Sequence, residues 1–211
     1  MFKPKTTAVC ALFAALATTL SLPAQATEVA LATNSGQAGY GSWQQFNVSD
    51  LDSLVFGTEW IDFSSAPGAG FGTPLTFTFT IAAGQVGRFT AVDGAFGGDT
   101  FKLTDFGNAL GATSAVPVTD YASAPDVGLD FDAALANQAF SQGVFVLGAG
   151  SHRISGRLDQ SVLLNGVPLN ATVGAVRLTV AALAPAVPEP STYALLLAGL
   201  GLVGARLRRR R

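Results

Sequence analysis

The segment Leu75–Ile81, LTFTFTI, alternates strictly between large apolar residues and threonine. An alternation with a period of two places every second side chain on one face of an extended strand, and aromatic and β-branched residues favour that conformation. The segment therefore predicts a half-buried β-strand.

Similar patterns predict further strands, and glycine-rich segments between them predict turns. The other predicted strands are Ser53–Phe56, Gly87–Val92, Thr100–Asp105, Gly143–Leu147, His152–Leu158 and Ala175–Ala181. The predicted turns are Asp93–Asp99, Gly107–Gly111, Gly148–Ser151 and Asn165-Gly166. One helix is predicted at Asp130–Phe140, where either Asp130 or Asp132 is suited to cap the N-terminus. Short strands with glycine-rich turns favour an all-β class, an antiparallel β-sandwich or jelly roll, formed as one domain by residues 27–184.

The first 26 residues have the pattern of a secretory signal peptide. Two lysines precede an apolar run from Ala8 to Leu22, and the small residues Ala24 and Ala26 form an A-x-A cleavage site. We expect cleavage after Ala26; an uncleaved anchor helix is the alternative, which the shortness of the apolar run disfavours. Cleavage would remove Cys10, the one cysteine in the sequence, and would leave neither a disulfide nor a thiolate ligand.

Charge is distributed unevenly along the chain. Between Thr27 and Pro185 there are five basic and thirteen acidic residues, a net charge of about −8, whereas the whole chain has a net charge of −2. A body this acidic has little with which to neutralise phosphates, so we expect no nucleic acid and no anionic lipid among its partners. The charge is suited to keeping an exported protein soluble.

The chain ends with VPEPSTYALLLAGLGLVGARLRRRR. The two prolines in Val187–Pro190 keep the backbone extended, as a protease site requires. The apolar stretch Thr192–Ala205 would reach about 21 Å as a helix, so it could span a membrane only with its flanks. Arg206 and Arg208–Arg211 would hold this end in the cytoplasm. The pattern predicts either a permanent tail anchor or a temporary one that presents a cleavage site at the membrane.

Pro188-Glu189-Pro190, followed by a short Leu/Gly-rich helix and a cluster of arginines, resembles the PEP-CTERM sorting signal of Gram-negative bacteria. The resemblance covers about 25 residues and contains all three parts in order. It implies processing by an exosortase, transient anchoring in the inner membrane, and then a place at the cell surface or outside the cell. It also implies an association with exopolysaccharide and biofilm.

Two segments of the body, Gly98–Pro117 and Phe131–Leu158, carry a second resemblance, to a group of secreted β-rich proteins of which many have PEP-CTERM tails. The matching positions are Gly98, Asp99, Phe101, Asp105, Gly107, Leu110, Gly111, Thr113, Ser114, Phe140, Gly143, Phe145, Leu147, Gly150 and His152. This resemblance implies a secreted β-sandwich domain and no known activity.

Acidic residues in the glycine-rich loops are candidate ligands for calcium, which prefers carboxylate and carbonyl oxygens. One candidate set is Asp93, Asp99 and Asp105, and the other is Asp126, Asp130 and Asp132. Neither set has EF-hand spacing. The alternative is that these aspartates form turns and helix caps. We expect no other cofactor.

Groups suited to catalysis are few. His152 is the single histidine, and Ser151 beside it in a strand would point to the opposite face, which disfavours a triad with Asp159.

The aromatic residues that could stack on sugars, if exposed together, are Tyr40, Trp43, Trp60 and Tyr121. Single aromatic residues more often belong to a core. We therefore expect a non-enzymatic surface or matrix protein. The alternative is a carbohydrate-binding, lectin-like module that uses calcium or does without it.

Overall fold

The computed structural model describes residues 26–54, 57–62, 72–183 and 190–209. Within these ranges the strands are β1 (Thr27–Ala30), β2 (Gln44–Ser49), β3 (Ile61–Asp62), β4 (Thr73–Ile81), β5 (Gln85–Asp93), β6 (Ala95–Phe96), β7 (Thr100–Asp105), β8 (Asn108–Ala112), β9 (Asp126–Gly128), β10 (Gln142–Leu147), β11 (Gly150–Gln160), β12 (Leu163–Leu164), β13 (Val167–Pro168) and β14 (Ala171–Ala182). The helices are α1 (Phe131–Ala136) and α2 (Pro190–Arg208).

Ten strands form one continuous sheet in the order β10-β5-β14-β2-β3-β4-β11-β7-β8, with β1 added beside β4. Its pairings are antiparallel except that of β1 with β4, which is parallel. Two small sheets, β6-β9 and β12-β13, accompany it. The predicted all-β antiparallel class is confirmed. The two halves expected of a sandwich are joined through the short strand β3, so that the sheet curves back on itself.

Aromatic residues from both halves of the sheet meet in the main core. Phe46 of β2 stacks on Trp60 with ring centroids 4.0 Å apart and meets Phe101 of β7 edge-on at 5.0 Å. Phe79 of β4 stacks on Phe89 of β5 at 5.9 Å. All five side chains are buried, and each contributes about 1.5–3 kcal/mol through removal of apolar surface from water.

The two edge strands of the sheet approach each other. Phe145 on β10 packs over Gly111 on β8, where an added Cβ would lie 2.8 Å from the phenylalanine ring. Glycine at this position therefore permits the close approach of the edges, and the sheet nearly closes into a barrel.

Six predicted strands are confirmed as parts of β4, β5, β7, β10, β11 and β14. The prediction of a strand at Ser53–Phe56 is wrong at Ser53 and Leu54, because the Ser53 N–H donates to the Ser49 carbonyl at 2.9 Å and forms a turn. Val55 and Phe56 lie outside the described residues.

The predicted turn at Gly107–Gly111 is also corrected. Most of it belongs to strand β8, and the turn itself is made by Phe106 and Gly107, whose φ angles are 47° and 80°. The predicted turn at Asn165-Gly166 is confirmed, with φ angles of 54° and 79° that suit a type I′ hairpin between β12 and β13.

Helix α1 is shorter than the predicted Asp130–Phe140. Asp130 is its N-cap and accepts a hydrogen bond from the Ala133 N–H at 2.9 Å. The helix ends at Ala136 because Asn137 adopts an extended conformation, with φ −111° and ψ 119°.

Candidate functional site

Helix α2 contains the apolar part of the C-terminal tail. Its exposed leucines, each with 60% or more of its surface accessible, are Leu195, Leu196, Leu197, Leu200, Leu202 and Leu207. Three consecutive leucines span about 200° of the helix circumference, so this part of the helix has no wholly polar face. Within the described part of the chain, no helix combines the length and the hydropathy that crossing a membrane requires.

Only part of the predicted sorting signal lies within the residues that the structure describes. Pro190 is the first residue of α2. The backbone N–H that proline lacks would have no partner within the helix at this position, so its absence does not destabilise the helix. Arg206 and Arg208 lie in the last turn, where positive charge interacts favourably with the helix dipole, and Arg209 follows. The predicted site residues outside the described ranges are Ala24, Val187, Pro188, Glu189, Arg210 and Arg211, and Ala26 immediately precedes β1.

A buried acidic pair organises the loop that leads from β5 to β7. The carboxylate of Asp93, with none of its surface exposed, accepts hydrogen bonds from three backbone N–H groups of the following loop, at 3.0, 3.3 and 3.2 Å. Asp99, 2% exposed, accepts from the Val162 N–H at 2.7 Å and from the Thr172 hydroxyl. The pair thereby ties β5 to the segment that precedes β12 and to β14.

Burial raises the pKa of both carboxyl groups, because it penalises their charged forms. The pKa of Asp93 lies well above its usual value, owing first to burial and then to the charge of Asp99, although the backbone N–H groups oppose the rise. Burial raises the pKa of Asp99 to about 6, against the opposing effect of its hydrogen bonds to Thr172 and Val162.

The third residue of the predicted calcium set does not join this pair. Asp105 ends β7, six residues after Asp99 and so about 20 Å away along an extended strand. Its carboxylate binds His152 Nδ1 at 2.7 Å and the Arg153 N–H at 2.9 Å. The structure therefore brings together Asp93 and Asp99 without Asp105.

The other candidate calcium set is engaged in local structure. Asp126 accepts from the Gly128 N–H at 2.8 Å, Asp130 caps α1, and Asp132 forms an ion pair with Arg177 at 3.1 Å. Among the described residues, no three His, Cys, Asp or Glu side chains are grouped so that they could hold a metal ion.

His152 is held by contacts within the fold. Its Nδ1 faces Asp105, its Nε2 lies 3.0 Å from the Gly148 carbonyl oxygen, and its ring stacks on Phe79 with centroids 5.2 Å apart. Both ring nitrogens therefore have oxygen partners, and the imidazole links β7, β11 and the turn before β11.

The other two residues considered for a triad lie in separate contacts. The Ser151 hydroxyl lies 3.2 Å from the Thr80 hydroxyl. Asp159 forms an ion pair with Lys102 at 2.5 Å. The structure does not bring Ser151, His152 and Asp159 together as a catalytic arrangement.

Three of the four candidate sugar-stacking aromatics serve the fold. Trp60 is 1% exposed and lies in the core. The Tyr40 hydroxyl donates to the carbonyl of Val180 and accepts from its N–H, at 2.9 and 3.0 Å. Trp43 is covered by the Arg177 guanidinium, 4.2 Å from the ring centroid.

Tyr121 is the candidate that remains accessible. It is 40% exposed, and its ring centroid lies 4.3 Å from that of Phe96. The two rings border a cavity of about 350 Å³ that Asp99 also lines. The other polar side chains lining this cavity, which we call the Tyr121 pocket, are Asn47, Ser49, Asp52 and Thr172. Aromatic rings beside a few oriented polar groups are typical of a site for a small polar ligand.

Sequence reasoning singled out Tyr121 and Asp99 for different reasons and missed their shared pocket. Phe96 lies in the segment predicted as a turn, and its contact with Tyr121 joins strand β6 to the segment between β8 and β9. No periodicity or motif in the sequence signals such a contact.

Comparison with known proteins identifies the tail. Residues 186–211 match the PEP-CTERM protein-sorting motif. No curated protein gives a significant match. Among solved structures, the pre-peptidase C-terminal domain of a collagenase from Bacillus anthracis is similar, with 10% sequence identity, coverage of 74% of this chain and 97% of that chain, and a TM-score of 0.36. The chain thus carries a PEP-CTERM motif, the sorting signal of exported proteins that are targeted to exosortase.

Proposed function

We propose that this protein is a non-enzymatic component of the cell surface or extracellular matrix, associated with exopolysaccharide or biofilm. In this proposal a signal peptide ending at Ala26 starts export, and the tail then holds the chain transiently at the inner membrane. Exosortase recognises Pro188-Glu189-Pro190 and removes the tail. The observation that carries the proposal is the sorting motif at residues 186–211.

The position of β1 supports the proposed N-terminal processing. This strand begins at Thr27, directly after the proposed cleavage site, and all four of its residues pair with β4. Glu28 also forms an ion pair with Arg153 of β11 at 3.0 Å. A chain beginning at Thr27 would therefore have its first residues in the sheet.

The position of β14 supports the proposed C-terminal processing. This last strand ends at Ala182, before the sorting motif begins at residue 186. Removal of the tail would leave each described strand of the sheet intact.

A non-catalytic role is supported by the contacts of the groups best suited to catalysis. His152 is bound to Asp105 and Gly148, while Asp93 accepts three backbone hydrogen bonds. These side chains have partners that a substrate would have to displace.

The experiment is intact mass spectrometry of the protein from membrane, surface and secreted fractions, in strains with and without active exosortase. We expect a species that begins at Thr27 and lacks the arginine tail, and we expect it only where exosortase is active. A Pro188→Ala/Glu189→Ala variant should accumulate with its tail, whereas a Glu28→Ala variant serves as a control outside the motif. A species spanning Thr27–Arg211 in the membranes of both strains would show a permanent tail anchor and overturn the proposal.

A carbohydrate-binding, lectin-like role is the second candidate function. It is favoured by the Tyr121 pocket, where the Tyr121 and Phe96 rings lie beside the buried carboxyl group of Asp99. We expect a Tyr121→Leu variant to lose binding to a glycan array that the parent protein binds. Phe106→Leu changes another exposed aromatic residue, which does not line the pocket, and should leave binding unchanged. Equal binding by all three proteins would remove this candidate.

A further inference from the structure

A second cavity, of about 630 Å³, lies on the sheet where β7, β8 and β11 are neighbours. An added Cβ at Gly156 would point into the Trp60 ring, 2.3 Å away, so the side of β11 that Gly156 presents is the core side. Side chains alternate along a strand. Ser155 and Arg157, which line the cavity, therefore point away from the core.

The pairing register places a charged row across this outward face. Arg157 of β11 lies opposite Lys102 of β7, and Lys102 lies opposite Ala112 of β8. On its other side Arg157 forms an isolated bridge with Glu59. Directly opposite residues share a face of the sheet, so the two cations stand side by side over the cavity.

A row of hydroxyl groups runs beside the charged row. Ser155 lies opposite Thr104, with their hydroxyl oxygens 2.9 Å apart, and Thr104 lies opposite Ala109. All three residues line the cavity. The alanines that end both rows, Ala109 and Ala112, leave the β8 side of the face free of long side chains.

The two cations are neutralised unequally. Lys102 has an ion pair with Asp159, whereas the exposed Arg157 side chain has neither an ion pair nor a hydrogen bond within the described residues. The carboxylate of Glu59, which also lines the cavity, accepts a hydrogen bond from the Ser53 hydroxyl and forms no ion pair with Arg157. Because like charges directly opposite in a sheet destabilise it, this arrangement is suited to an anion from outside the chain.

We propose that this outward face, the Arg157 groove, binds an acidic polysaccharide. The anionic group of one sugar, a uronate carboxylate or a sulfate ester, would lie between Arg157 and Lys102. The hydroxyls of Ser155 and Thr104 would exchange hydrogen bonds with neighbouring sugar hydroxyls, and the sugar ring would lie over Ala109 and Ala112. The inference rests on the proposed place of the protein in an exopolysaccharide layer and names the class of polymer that it would bind there.

Charge density favours an acidic polysaccharide over nucleic acid. The groove offers two cations, with the carboxylates of Glu59 and Asp159 beside them, on a body whose net charge is about −8. Duplex DNA carries one negative charge per about 1.7 Å, and its binding needs many neutralising contacts. A polysaccharide with one charge per sugar places its anions farther apart than DNA does. Two cations are then enough to bind one anionic group, and the acidic protein body repels the rest of the polysaccharide less strongly.

The test measures binding of the purified full chain, in mild detergent, to polygalacturonate, dextran sulfate, neutral dextran and duplex DNA. We expect binding to at least one acidic polysaccharide and none to neutral dextran. Arg157→Gln should weaken that binding by about tenfold or more, as expected for the loss of a charged hydrogen bond. Ala112→Glu, which introduces a carboxylate opposite Lys102, should weaken it similarly without removing a contact from the sheet. Arg88→Gln is the matched control, because Arg88 is an exposed strand arginine outside the groove.

The outcomes separate the alternatives. Weakened binding for both groove variants and unchanged binding for the Arg88 variant would support the proposal, and the preferred polymer would identify the anion as carboxylate or sulfate. Three results would overturn the proposal. The first is equal weakening of binding by all three variants, the second is DNA binding that depends on Arg157 to the same extent, and the third is no binding to either acidic polymer. A thermal melt of each variant identifies any that fails to fold, and the other groove variant then decides. The assay uses the unprocessed chain, so its failure would leave exosortase processing untouched.

Discussion

Replacement of Asp99 by asparagine should change how the stability of the protein depends on pH. In the folded protein burial raises the pKa of this carboxyl group to about 6 from an ordinary value of 3.8. Between these two values the folded state binds more protons than the unfolded state, so the free energy of unfolding falls as the pH rises. In the Asp99→Asn variant the side chain is neutral without binding a proton, and its amide oxygen can still accept the hydrogen bond from the Val162 N–H.

The size of the effect follows from the two pKa values. Each pKa unit corresponds to 1.36 kcal/mol, so ionising Asp99 costs the folded state about 3 kcal/mol at pH 7.5 and only about 0.5 kcal/mol at pH 4. We therefore expect Asp99→Asn to gain about 2.5 kcal/mol of stability relative to the parent protein between pH 4 and pH 7.5. Burial raises the pKa of Asp93 in both proteins, but the variant lacks the Asp99 charge that raises it further, which adds to the gain in stability at high pH.

Urea unfolding followed by tryptophan fluorescence, at pH 4, 5.5 and 7.5, measures the difference. Trp60 in the core is a suitable reporter because unfolding would expose it to water. Asp126→Asn is the matched control, since it removes an exposed carboxylate at the start of β9. A stability difference between the parent protein and the Asp99 variant that stays constant across this pH range would refute the reasoning.

Three further predictions concern the packing and turns of the sheet. Gly156→Ala should destabilise the protein by about 1–3 kcal/mol, because the new Cβ would overlap the Trp60 ring, whereas Gly148→Ala, which meets no atom within 4 Å, should change stability by less than about 0.5 kcal/mol in urea unfolding. Tyr40→Phe should cost about 1–2 kcal/mol, since it removes a hydroxyl that makes two hydrogen bonds to the β14 backbone; no change in the urea midpoint would show that these bonds are unimportant. Gly166→Ala should cost about 1–2 kcal/mol because φ is 79° at this position, and calorimetry showing an unchanged melting temperature would contradict that strain.

The strands that the sequence predicts well are those whose pattern reports burial directly. Leu75–Ile81 alternates because one face of β4 packs in the core, and Phe77 and Phe79 are buried there as the period of two requires. Strand β8 escapes prediction because its glycine and asparagine are typical of turns. Gly111 is instead required by the Phe145 ring of β10, a long-range contact that local composition does not encode.

The sorting signal could be predicted because its information lies in consecutive residues, from Pro188 onward. The two cavities could not. The Arg157 groove depends on the register that sets Arg157 opposite Lys102, residues 55 positions apart. The Tyr121 pocket likewise depends on the contact of Tyr121 with Phe96, 25 residues earlier in strand β6. Such juxtapositions follow from strand order, which single-sequence periodicity leaves open.

Strand β14 has a consequence for when this protein can fold. It pairs with β2 on one side and β5 on the other, so the last strand of the sheet lies between two early ones. A chain emerging from a translocation channel from its N-terminus would have β2 and β5 available long before the strand that joins them. Contacts so distant in sequence form slowly. Assembly of the sheet would wait until residue 182 had emerged. Until then the chain would stay unfolded and could pass through the channel.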